Sequence, residues 1–114
     1  MTIEELQQRI RRFRDERDWM QFHNHKDMAT ALAIEAAELQ ELFLWKQGHE
    51  IDAVASEKRE RLTEELADVA VYLLELADNL GIDVADAVVR KLEKNAMKYP
   101  VHKARGSSAK YDEL

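Results

Sequence analysis

Cysteine is missing from the chain altogether. That excludes a disulfide framework and any thiolate metal site, and it suits a reducing compartment such as the cytoplasm. A single proline and three glycines among 114 residues leave few places to break a helix. No apolar run approaches the eighteen or so residues of a spanning helix. The opening MTIEELQQRIRRF also lacks the apolar core of a signal peptide, so no membrane association is expected. The closing YDEL is close to an ER-retention address, but without a leader such an address goes unread. Basic charge is short as well. A net charge of −6 argues against binding a nucleic-acid polymer, because neutralising phosphates needs a clustered basic excess. The C-terminal stretch from Lys98 to Lys110 is basic, which leaves room for a small anionic ligand if something offsets the acids.

What is present is helical periodicity from end to end. Thr2 with Glu5 has capping-box spacing and predicts a first helix to about residue 22, with Ile3, Leu6, Ile10 and Phe13 as its buried stripe. A second helix is expected from about Lys26 to Lys46, before Gly48. The segment QGHEIDAVASEKRE then reads as a connector with at most a short helical turn. A third helix runs from about Glu57 to Leu80 and stops at Gly81, a residue suited to the left-handed position that ends helices. Asp83 with Asp86 starts a fourth, which Pro100 must end. The expectation is a single all-α domain over residues 1–100, a four-helix bundle, followed by a tail over 101–114.

At about 100° per residue, Glu35 falls inside the apolar stripe of the second helix, beside Met28, Leu32, Leu39, Leu42 and Phe43. Glu38 lies about 60° away, on the shoulder with Ala31 and Trp45. The third helix repeats the register. Glu65 sits in the stripe of Leu62, Leu66, Val69, Leu73, Leu76 and Leu80; Asp68 is on the shoulder and Tyr72 between the two acids. Acid pairs three residues apart are common in a chain with 35% charged residues and usually face water. Two pairs in matched register, each with one member turned inward, are different. Buried carboxylates must be paired, protonated or bound to a cation, and four together raise one another's pKa. An all-oxygen set of this kind suits a hard divalent ion, Mg²⁺ or Mn²⁺. A di-iron bundle would need Glu-x-x-His, and no glutamate here has histidine three residues on. The pair His23 and His25 has no second cluster to join, which disfavours zinc.

Glu35-x-x-Glu38 followed by Glu65-x-x-Asp68 resembles the signature of the all-α, MazG-like nucleoside triphosphate pyrophosphohydrolases. The surrounding text RDWMQFH, ELFLWK, EELADVAVYL and KYPVHKARGSSAKYDEL is similar to the dCTP pyrophosphatase branch of that family, over nearly the whole chain from Arg17. The resemblance implies helices that assemble across subunits into a homotetramer. It also implies Mg²⁺-dependent cleavage of a deoxynucleoside triphosphate, dCTP or a modified dCTP, to monophosphate and pyrophosphate, as nucleotide-pool cleaning in the cytoplasm. On this chain the metal ligands and catalytic acids would be Glu35, Glu38, Glu65 and Asp68.

By the same resemblance Trp19 and Trp45 would flank the nucleobase, with His23 nearby; stacking suits any base and selects little by itself. Tyr72 would contact the sugar, where an apolar ring favours a missing 2′-hydroxyl. Lys91 and Asn95 on the fourth helix, with Arg105 and Lys110 in the tail, would meet the triphosphate. For each of these the ordinary alternative is packing or a solvated surface. GSS in the tail is not a phosphate loop, since the Gly-x-x-x-x-Gly-Lys spacing is absent. A non-enzymatic reading competes with the enzymatic one: a helical interaction module whose acid pairs make intersubunit salt bridges. Both require association, because Ala67, Val71 and Leu74 make the third helix apolar on its back as well, and a helix apolar on several sides is buried on several sides. At least a dimer is expected.

Overall fold

The computed structural model describes residues 1–114 and contains helices and turns without a strand. The helices are α1 (Ile3–Glu16), α2 (His25–Glu41), α3 (His49–Glu57), α4 (Arg59–Leu80), α5 (Val84–Lys98) and α6 (Val101–Ala104). They form two compact units, Met1–Gly81 and Ile82–Leu114. No helix is long and apolar enough to cross a membrane.

Local signals place the ends. Thr2 accepts from the Glu5 amide at 3.0 Å while Glu5 reaches back to the Thr2 amide, a reciprocal cap worth about 1 kcal/mol. Asn24 accepts from the Asp27 amide to open α2, and Asp83 from the Asp86 amide to open α5. Gly81 ends α4 at φ 68°, in the left-handed region where a side chain would be strained.

Three boundaries differ from the sequence reading. The first helix ends at Glu16 rather than near residue 22, because Asp18 takes φ 53° and the chain turns before a 3₁₀ turn at Met20–Phe22. The second stops at Glu41, after which tight turns carry Trp45 into φ 66°. The connector is a nine-residue helix, α3, with Val54 buried.

In the first unit the principal helix pair is α2 with α4, and α1 and α3 pack onto α4. Met28, Leu42, Val54, Leu74, Ala77 and Ile10 form its core. The stripe expected on α1 is corrected: Ile10 alone of the four is buried, and Ile3, Leu6 and Phe13 remain exposed. The inward line of α1 is instead Gln7, Ile10 and Arg14, because both polar side chains find partners on α4. Leu74, assigned to the back of its helix, is buried where Gln7 Nε2 donates to the Leu74 carbonyl at 2.9 Å. Conversely Leu66, Leu73 and Leu80, expected in the core, are 44–52% exposed, since the other helices of the first unit leave that side of α4 open.

In the second unit, α5 leaves Val88, Val89, Leu92 and Met97 exposed. The segment after Pro100 is structured. Tyr111 meets Tyr99 edge to face at 6.1 Å between ring centres, and Lys98 Nζ lies 4.8 Å from the Tyr111 ring.

Candidate active site

The pairing of α2 with α4 brings Glu35, Glu38 and Glu65 together, one carboxylate oxygen from each lying within 4.8 Å of the others. Residues three apart on a helix share a face, so Glu35 and Glu38 reach across one turn while Glu65 approaches from the opposite helix. The Oε2 atoms of Glu35 and Glu65 are shielded from solvent and have no hydrogen-bond partner. An orphaned buried carboxylate oxygen costs about 1–3 kcal/mol or more; two of them side by side need a proton or a cation.

The protonation equilibria express the same frustration. Burial, then the hydrogen bond and charge of Glu38, then the charges of Asp68 and Glu65 push the Glu35 carboxyl up to about 7. Burial and the neighbouring Glu38 and Asp68 also raise Glu65, with Arg61 offsetting part of the effect. Asp68 itself is exposed and lies outside the trio, yet its charge acts on both glutamates. Tyr72 is half-buried one turn further along α4. Burial, together with Glu35, Asp68, Glu75 and Glu38, raises its hydroxyl, so the phenol stays protonated and able to donate.

Trp19 and His23 come from the turn between α1 and α2. The Trp19 amide bonds the Arg14 carbonyl and the His23 amide the Met20 carbonyl, at 3.1 and 3.0 Å. The Trp19 ring packs edge-on against Phe13 at 5.7 Å and stands 6.3 Å from the His23 ring. Trp45 is 86% exposed and left-handed, a backbone state costing about 1 kcal/mol or more for a non-glycine residue. No packing explains an aromatic ring held that way. Of the residues expected at the triphosphate, Lys91, Arg105 and Lys110 are exposed in the second unit and Asn95 is half-buried there.

One group went unnoticed in the sequence. Glu75, 3% exposed, bonds His23 Nδ1 through both oxygens at 2.8 and 3.0 Å, and its Oε2 accepts from Asn79 Nδ2 at 3.1 Å. Arg14, also buried, stands 3.9 Å from Glu75 and donates to Asn79 Oδ1 at 3.0 Å. The signal was available: Glu65, Asp68, Tyr72, Glu75 and Asn79 recur every three or four residues and fall within an arc of roughly 80° on α4.

Comparison with known proteins follows the same residues. The MazG-like family model matches residues 30–114, a span that includes all four acids. The dCTP pyrophosphatase 1 of Rattus norvegicus is 43% identical over 115 residues, covering 99% of this chain and 68% of that protein. The Homo sapiens protein of the same name is 44% identical with the same coverage. The crystal structure of a pyrophosphatase from Archaeoglobus fulgidus DSM 4304 superposes with a TM-score of 0.83 at 44% identity, over 85% of this chain and 91% of that one.

Proposed function

The chain belongs to the MazG-like family, and from that membership and its carboxylate trio we propose that it is a divalent-metal-dependent pyrophosphohydrolase of deoxynucleoside triphosphates, dCTP or a modified dCTP foremost. The observation that carries the proposal is the pair of buried, unpartnered oxygens on Glu35 and Glu65 beside Glu38. These all-oxygen donors fit Mg²⁺, with Mn²⁺ as a substitute. Glu35, Glu38 and Glu65 would hold the ion, with Asp68 completing the set. When bound, Mg²⁺ supplies positive charge against the phosphate oxygens.

The chain's own residues do the rest. A carboxylate of the cluster takes a proton from the attacking water as its oxygen bonds to the α-phosphorus. The bond between that phosphorus and the bridging oxygen breaks, and pyrophosphate leaves with its electron pair; the products are dCMP and pyrophosphate. Placing the water within hydrogen-bonding reach of a carboxylate is the geometric condition for this step. Trp19 and the solvent-facing Trp45 are assigned to stack on the base, and Tyr72 to face the deoxyribose. Lys91, Asn95, Arg105 and Lys110 are assigned to the triphosphate.

Association of copies belongs to the same reading. The exposed Leu66, Leu73 and Leu80 support a homo-oligomer, a tetramer by analogy with the family. The task that fits is cleansing the cytoplasmic nucleotide pool. The alternative module, with acid pairs forming intersubunit salt bridges, is disfavoured by the mutual proximity of three acids, which compete for one cation rather than reach outward for several.

The test is a panel of canonical and modified NTPs and dNTPs, with the products separated. Release of dCMP and pyrophosphate is expected; release of dCDP and phosphate, or no turnover of any nucleotide, would refute the assignment.

A further inference from the structure

The network around Glu75 holds no cation site, yet Glu75 is the most deeply buried charged residue of the chain and lies on the face of α4 that carries Glu65. Its arrangement is directional. Glu75 accepts from Asn79 Nδ2, and Asn79 Oδ1 accepts from Arg14, which fixes the amide's orientation. Arg14, bonded to Asp15 at 2.8 Å, also stands 3.9 Å from the Glu75 carboxylate. A carboxylate can only accept, so His23 must present Nδ1–H to it. With the ring's single proton on Nδ1, its lone pair is on Nε2. That atom makes no hydrogen bond within the protein and is not shielded from solvent.

The Trp19 ring stands 6.3 Å from the imidazole between ring centres, tilted 45° to it and 41% exposed. An aromatic platform next to a single fixed acceptor is a recognition element for a flat ring carrying an N–H₂ group. Cytosine has such a group at N4, whereas thymine presents a carbonyl oxygen at the same place. Two facing acceptors cannot bond. Sites that leave a buried polar group unpaired discriminate more strongly than sites that merely mismatch in shape. Tyr72 lies in the field of Glu75, Glu35, Asp68 and Glu38, so the carboxylate that holds the histidine stands near the proposed reaction centre.

We propose that Glu75, braced by Arg14 and Asn79, is a positioning residue that keeps the His23 proton on Nδ1, so that Nε2 accepts a hydrogen bond from the exocyclic amine of the base and selects aminopyrimidine over oxopyrimidine deoxynucleotides. This inference rests on the nucleotide reading above. Glu75 acts through the ring and does not touch the base.

Two measurements test it. The first is long-range ¹⁵N–¹H NMR of ¹⁵N-histidine-labelled wild-type protein at pH 8. A proton on Nδ1 of His23 is expected; a proton on Nε2 overturns the proposal whatever the protein hydrolyses, and needs no variant that might misfold. The second compares kcat and KM for dCTP and dTTP among wild type, His23→Ala, Glu75→Gln and the double variant. Glutamine keeps the size of Glu75 but can offer Nδ1 either an oxygen or an amide N–H, so it no longer dictates the tautomer. Each single variant is expected to raise KM for dCTP by about tenfold and to lower the dCTP-to-dTTP preference similarly, with kcat changed less than about threefold. The double variant should match His23→Ala. Losses that multiply in the double variant, or turnover whose base preference survives His23→Ala, overturn the proposal alone. Absence of all nucleotide turnover by the wild type overturns the base contact together with the nucleotide reading.

Discussion

Glu35 on α2 and Glu65 on α4 approach within 4.8 Å through carboxylate oxygens, and each buries an Oε2 atom without a partner. A fold does not gather like charges on its main helix pair for stability, because each raises the other's cost of ionisation. The arrangement stores a demand for positive charge, and it makes the metal-free protein measurably different from one in which the acids face water.

Stability of the metal-free protein should fall as pH rises. The folded Glu35 carboxyl titrates at about 7 against an ordinary 4.5, so the folded state holds more protons than the unfolded state between those values. The contribution is present in full below about pH 4.5 and is lost as pH passes through about 7. Melting temperatures in chelator should therefore decline from pH 5 to pH 8. Glu35→Gln, which cannot ionise, should flatten that decline. An unchanged slope in the variant would remove Glu35 as its source.

Glu38→Gln should leave the helices intact and lower turnover by at least about 100-fold, equivalent to about 2.7 kcal/mol of transition-state stabilisation. Circular dichroism and steady-state kinetics on the same sample separate the two effects. A variant with wild-type rate would take Glu38 out of the site.

Leucines on two sides of α4 should respond in opposite ways. Leu74→Ala opens a hole in a buried position and should destabilise the fold by about 2–5 kcal/mol. Leu73→Glu, at a 44% exposed position, should cost the single chain little but shift sedimentation toward smaller species. A monomeric wild type at micromolar concentration would contradict the association.

Short-range chemistry was legible in the sequence and long-range partnership was not. The Thr2–Glu5 box, the Gly81 stop and the Asp83–Asp86 start all involve residues within three positions of one another, and each stands as read. The inward face of α1 was misassigned because hydrophobicity alone chose Ile3, Leu6 and Phe13. Gln7 and Arg14 are drawn in by Leu74 and Asn79, more than sixty residues away. The acid trio was legible because two helices repeated one register, so periodicity reported a tertiary fact. Glu75 continues that register but was passed over, since its meaning depends on His23 from another segment. The exposure of Leu66, Leu73 and Leu80 reflects a surface that the first unit leaves uncovered, which no helical wheel can reveal.

The central claim, that the trio is a divalent-cation site, is tested most directly by the melting temperature as a function of Mg²⁺ concentration at pH 8, for wild type and Glu35→Gln side by side. A ligand that binds only the folded state raises stability continuously with its concentration. The wild type should show that rise and the variant should lose most of it. No rise in the wild type, or an equal rise in both proteins, would contradict the account.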